Sequence, residues 1–152
     1  MSLEQWLKNS WLREEAATRN EIKDLLAVVD REIADASVIQ LSTDGRFMHA
    51  YDAALNLCAI ALRVRGYSVP KGSNHHKRTI GALPLVLGVE YQEVSDQIEL
   101  ASRLRGQAMY DRAEVVQLRD AEELTETAKN LRESVLTWVK QYSSKLNPLL
   151  ED

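Results

Sequence analysis

The chain has 152 residues, with 19 Lys and Arg against 23 Asp and Glu, a formal net charge of -4, 45% apolar and 28% charged residues. That balance excludes bulk, sequence-independent nucleic-acid binding, although a local basic patch stays compatible with it. One cysteine, Cys58, excludes an internal disulfide framework. No segment approaches the ~18 apolar residues of a membrane span, and the charged start (Glu4, Lys8, Arg13) holds no apolar run of signal-peptide length. A cytoplasmic protein of one domain is expected.

Apolar residues recur at three and four rather than two, which is the helical period. Met1 to about Thr18, with Leu3, Trp6, Leu7, Trp11 and Leu12, is expected to be an amphipathic capping helix over residues 1–18. Its tryptophans would suit either a core cap or a dimer contact. Asn20 to Ser37 places Ile22, Leu25, Leu26, Val29, Ile33 and Ala36 on one face, with Asn20 as N-cap and Arg31, Glu32 and Asp35 on a solvated face.

Ser42 or Asp44 is expected to cap the next helix, Phe47 to Arg65. Two apolar stripes there, Phe47, Tyr51, Leu55, Cys58, Leu62 and Ala50, Ala53, Leu57, Ile60, Val64, mark a central helix. One polar row survives on it: His49, Asp52, Asn56 and Arg63. Buried polar groups need partners, so this row is expected to face a paired network or a wet cleft. Gly66 to Asn74 is a loop. The following helix opens on His75, His76, Lys77 and Arg78, a basic first turn where acids are favoured. It is expected to break or kink at Pro84 and to stop at Gly88.

Tyr91 to about Arg112 is expected to be helical. Val94, Ile98, Ala101 and Ala108 would be buried, with Arg103, Gly106 and Tyr110 on an opposite stripe. A glycine inside a helix costs ~1 kcal/mol relative to alanine, so Gly106 suggests close approach of a backbone or ligand. A last helix, Asp120 to Ser143, carries the stripe Leu124, Ala128, Leu131, Val135, Trp138 and Tyr142. The tail from Asn147 is expected to fray. The sum is an all-α, up-down bundle of five to six helices within one domain, 1–152, whose bundle proper covers 20–145.

No phosphate-binding glycine loop, paired Cys-x-x-Cys, zinc-protease or nucleophile-elbow motif is present, and neither a cofactor nor a metal is expected. Cys58 reads as an inert core thiol. The remaining chemistry is cationic: Arg103, Arg105, Arg112, His75, His76, Lys77, Arg78 and Arg63. Arginine suits bidentate phosphate recognition, and Tyr110 could stack or donate a hydrogen bond.

Three segments together carry a family resemblance: Ser42-Thr-Asp-Gly-Arg46-Phe-x2-Ala-Tyr51 with Asp52-Ala-Ala-Leu behind it; the pair His75-His76; and Arg103-Leu-Arg105-Gly106-x3-Tyr110-Asp. Over roughly Asn20 to Tyr142 the chain resembles the HEPN (higher eukaryotes and prokaryotes nucleotide-binding) superfamily, in particular bacterial branches tied to toxin–antitoxin and abortive-infection systems. The resemblance implies a helical homodimer, RNA or a nucleotide as ligand, and a nucleotidyltransferase-type antitoxin as partner. Many members are metal-independent ribonucleases using an Arg, usually a following Asn, and a His four to six residues beyond the Arg. Carried over, the Arg is Arg105, or Arg103 in the longer spacing. The Asn position holds Gly106 and the His position Tyr110. A phenol with a pKa of ~10 is a poor base near neutrality, so RNA or nucleotide binding with weak or no catalysis is expected. An active ribonuclease using His49, His75 or His76, and a purely structural interaction module, are the alternatives. Arg105 and Tyr110 are the candidate catalytic pair; Arg103, Gly106, Arg112, His75, His76, Lys77, Arg78, His49 and Asp52 are candidate binding residues.

Overall fold

A computed structural model describes residues 1–110 and 115–151, apart from the side chain of Tyr110. Among these residues it contains seven α-helices and one two-stranded ladder: α1 (Leu3–Lys8), β1 (Arg13–Glu14), α2 (Arg19–Ala36), α3 (Thr43–Val64), β2 (Tyr67–Ser68), α4 (His75–Gly81), α5 (Leu83–Leu87), α6 (Gln92–Tyr110) and α7 (Leu118–Tyr142). The expected all-α bundle is the observed one. The helix count exceeds six because the Pro84 segment divides into α4 and α5 at Ala82, with the proline in the first turn of α5, where its missing N–H costs nothing.

The N-terminal helix is much shorter than expected. Ser2 and Gln5 form a capping box at its start, but it ends at Lys8, and Ser10 takes a left-handed φ of 61°. The turn returns Trp11 to Trp6, ring centroids 5.5 Å apart at 74°. It also drops Leu12 into the core and lets Arg13 and Glu14 pair antiparallel with Ser68 and Tyr67. Residues 9–18 thus form a strap over the end of α3 rather than more helix. The cap of α2 is Thr18, whose hydroxyl accepts from Glu21 N–H; Asn20, expected in that role, already lies inside the helix.

Ser42 caps α3 by accepting from Gly45 N–H. A Cβ at Gly45 would stand 2.9 Å from Ser42 Oγ, which explains that glycine. The central helix is α3, with α2, α4, α5, α6 and α7 all packed on it. Its residues Ala50, Tyr51, Ala53, Ala54, Leu57, Ile60 and Ala61 are fully buried. The four alanines let neighbouring helices approach closely, and Leu57→Ala would cost roughly 2–5 kcal/mol through the cavity it leaves. Gly88, at φ 123°, redirects the chain after α5 through a 3₁₀ turn, Val89–Tyr91, into α6. The stripe Leu124, Ala128, Leu131 and Val135 of α7 is buried as the spacing predicts, while Tyr142 emerges and stacks on Trp138.

The tail does not fray where expected. Asn147 is buried, and Arg19 Nη1 donates to the carbonyls of Leu150 and Glu151. No helix among the described residues is long and apolar enough to cross a membrane.

Candidate functional site

The polar row of α3 divides into two halves with different fates. At its C-terminal end Arg63 is fully engaged. Its Nε donates to Glu21 Oε2 at 2.7 Å, and its terminal nitrogens donate to Glu21 and to the carbonyls of Glu15, Ala16 and Tyr67. That arginine ties the strap, α2 and the post-α3 turn together, so it is not a free phosphate-binding cation. Asn56 turns back onto the Asp52 carbonyl of its own helix. The N-terminal half, His49 and Asp52, meets residues from three other elements.

Arg105 is the first of these. Ile98, Ala101 and Arg105 fall at i, i+3 and i+7, so the face of α6 that buries Ile98 and Ala101 also carries Arg105 toward α3. Only 23% of its side chain is exposed. Its Nε lies 3.8 Å from Asp52 Oδ1, inside ion-pair range and beyond a hydrogen bond. The guanidinium sits 5.4 Å above the Tyr51 ring, and the buried Nε has no hydrogen-bond partner. Arg103 points the other way, 70% exposed and paired with Glu99 one turn back. Of the two arginines matching the motif, Arg105 is therefore the one turned toward α3, while Arg103 stays exposed. Nor does Gly106 mark a close approach among the described residues, since a Cβ there would meet none of them within 4 Å. Arg112 and the Tyr110 side chain lie outside the described residues.

His76 joins from the first turn of α4. Its Nδ1 lies 3.0 Å from the Tyr51 hydroxyl. Partial burial, then the positive charge of Arg105 and of His75, hold its pKa below the ordinary imidazole value. A neutral ring can accept the Tyr51 hydroxyl proton at Nδ1 and present Nε2–H outward. His75 packs beside it, ring centroids 6.0 Å apart, with a buried Nδ1 that has no partner. Lys77 and Arg78 leave α4 in another direction, and Arg78 stacks on Trp11 at 4.7 Å. The basic turn is thus shared between two places.

His49 is held from α2. Glu32, only 6% exposed, lies 2.6 Å from His49 Nδ1 and accepts twice from Arg31. Burial raises the Glu32 pKa, but the hydrogen bonds from His49 and Arg31 outweigh it and hold the carboxyl below its ordinary range. Glu32 was expected on a solvated face. The signal against that was its place at i+3 from Val29 and i−4 from Ala36, both fully buried. Tyr51 read simply as a core residue; its hydroxyl, which meets His76, gives no periodic signal.

The electrostatics of the cluster converge on Asp52. Burial raises its pKa and Glu32 adds to the rise, while Arg105, His49 and His76 oppose it. Arg105, Asp52, His49 and His76 therefore form one electrostatic unit drawn from α3, α4 and α6, with Glu32 of α2 behind it. Such a unit can bind an anion through a guanidinium and an imidazole N–H, and it can move protons through two imidazoles. Glu32, Asp35 and His49 also bring ligand-type atoms within 4.8 Å of one another. The 2.6 Å between His49 and Glu32 is a hydrogen bond, too short for two atoms ligating one ion at the usual ~2.0–2.2 Å metal distances with open angles. Cys58 is buried and unreactive, its thiol pushed up to about 12 by burial. No protein-family model, curated protein or solved structure matches the chain.

Proposed function

We propose that this chain is a HEPN-like protein that binds RNA or a nucleotide through phosphate at the Arg105–Asp52–His76 cluster. We place it as a homodimer in a bacterial defence or toxin–antitoxin setting, beside a nucleotidyltransferase-type antitoxin, with weak or no catalysis. The observation that carries the reading is Arg105: a half-buried guanidinium with a bare Nε, near an imidazole and a carboxyl of raised pKa. A buried donor left without a partner costs about 1–3 kcal/mol, and a phosphate oxygen would relieve that cost. Asp52 then acts as the placeholder that the anion displaces. Arg105→Ala is expected to lower affinity for a mixed RNA pool at least tenfold and to flatten its salt dependence, because fewer counterions are released. Filter binding across a salt series, with a mass measurement for the dimer, checks this. Equal binding by wild type and Arg105→Ala would sink the phosphate reading.

One observation favours the alternative, a metal-independent endoribonuclease. His49 donates through Nδ1 to a buried carboxylate, which leaves its Nε2 for proton transfer, the base-and-orienter arrangement of acid–base catalysis. One imidazole would take the 2′-hydroxyl proton as O2′ attacks phosphorus. The other, protonated, would give a proton to the departing O5′ as its bond to phosphorus breaks. On this reading His49→Ala and His76→Ala each lower cleavage by roughly 10²–10⁴-fold, while RNA binding persists. An intact RNA pool after incubation with wild type returns the chain to the binding role.

A further inference from the structure

Residues two apart on a helix point about 200° from one another, so His76 and Arg78 serve opposite sides of α4. The Arg78 side opens on a cleft of about 320 Å³ between α1, α4 and α6, together with Trp11. Trp6, Trp11, Ile80 and Gly81 make its apolar lining. Gly81 is what seats Trp6 there, since a Cβ would stand 3.2 Å from Trp6 Cη2. The two helical walls carry opposite charge: Lys77 and Arg78 on α4, Asp96 and Glu99 on α6.

Among the described residues no ion pair closes the gap between those walls. Arg78 lies over Trp11. Asp96 accepts from Gln92 on its own helix, and Glu99 pairs with Arg103, also on its own helix. The charges face one another across an aromatic cleft without neutralising each other directly. A simple anion would meet Asp96 and Glu99, and a simple cation would meet Lys77 and Arg78. An uncharged apolar guest would strip water from both walls and give nothing back. A guest with a negative end, a positive end and an apolar body satisfies all three surfaces. The volume lies at the small end of ligand sites, roughly 300–1,000 Å³, which suits one small molecule and not a helix.

We propose that this cleft binds a free aromatic amino acid or a zwitterion of that shape. Its carboxylate lies toward Lys77 and Arg78, its ammonium toward Asp96 and Glu99, and its ring against Trp6 and Ile80. The site is independent of the phosphate cluster, and the two readings stand or fall separately.

The test uses L-phenylalanine, phenethylamine and 3-phenylpropionate, read by calorimetry and by tryptophan fluorescence. Trp6 and Trp11 line the cleft, whereas Trp138, stacked on Tyr142, does not and supplies a constant background. Phenylalanine is expected to bind at least tenfold more tightly than either singly charged analogue. Lys77→Gln should weaken phenylalanine and strengthen phenethylamine, which no longer meets that like charge. Asp96→Asn should weaken phenylalanine and strengthen 3-phenylpropionate, for the same reason. Both side chains belong to exposed residues, so the thermal midpoint of each variant confirms that folding is intact. No binding of phenylalanine at millimolar concentration overturns the proposal. So does equal affinity for the three probes, or phenylalanine binding that neither substitution weakens.

Discussion

Arg63 and Arg105 belong to different helices, and the two guanidiniums end in opposite conditions. Arg63 donates to a carboxylate and three carbonyls and has nothing left to give. Arg105 lies over a phenol ring, 3.8 Å from its carboxylate, with a buried Nε unpaired. Both are partly buried cations, so burial alone does not separate a saturated arginine from an under-satisfied one. The difference lies in satisfaction. A saturated cation holds elements together, while an under-satisfied one stays available to a ligand.

The largest expected effect tests that contrast directly. Arg63→Ala strands Glu21 and three carbonyls, and should cost about 2–4 kcal/mol in urea denaturation. Arg105→Ala should cost less than about 1 kcal/mol, because the long ion pair with a partly exposed Asp52 contributes little. Comparable losses for the two variants would break the comparison.

A smaller effect sharpens it. Asp52→Asn removes the carboxylate that competes with phosphate for Arg105, so RNA affinity should rise severalfold with no loss of thermal stability. The sign follows from the raised pKa: the folded state disfavours the charged form of Asp52 at neutral pH. Weaker RNA binding by Asp52→Asn would instead make Asp52 a positioning partner of Arg105.

The smallest expected effect is the pH profile. As pH falls from 8, Asp52, with its raised pKa, takes up its proton earlier than an ordinary aspartate, and His76, with its lowered pKa, charges later than an ordinary histidine. Each proton adds positive charge to the cluster, so affinity for phosphate should climb monotonically toward pH 5. Glu32 works in the other direction on stability. Its carboxyl titrates below the ordinary 4.5, so its contribution is present above that value and is lost as pH falls through the folded one. Binding measured against pH, with unfolding followed in parallel, separates the two.

Much of the bundle was legible from periodicity. Burying an apolar stripe is a local requirement repeated every three or four residues, so α2, α3 and α7 announce themselves in the chain. Pro84 and Gly88 marked the break and the stop because their backbone restrictions are intrinsic. The N-terminal strap was not legible. The Arg13–Glu14 ladder gains its partners from residues some 55 positions away, and no local pattern encodes that. The tail was misjudged for the same reason, since Arg19 reaches it across the whole chain.

By itself the sequence determined the helical class, the inert cysteine and the short set of cationic residues from which the candidate site is drawn. Only the tertiary structure decided that Arg105 rather than Arg103 turns inward, that Glu32 stands behind His49, and that His76 and Arg78 of α4 face different neighbours. Periodicity reports which face of a helix is apolar. It does not report which polar groups from distant helices meet once those faces are buried.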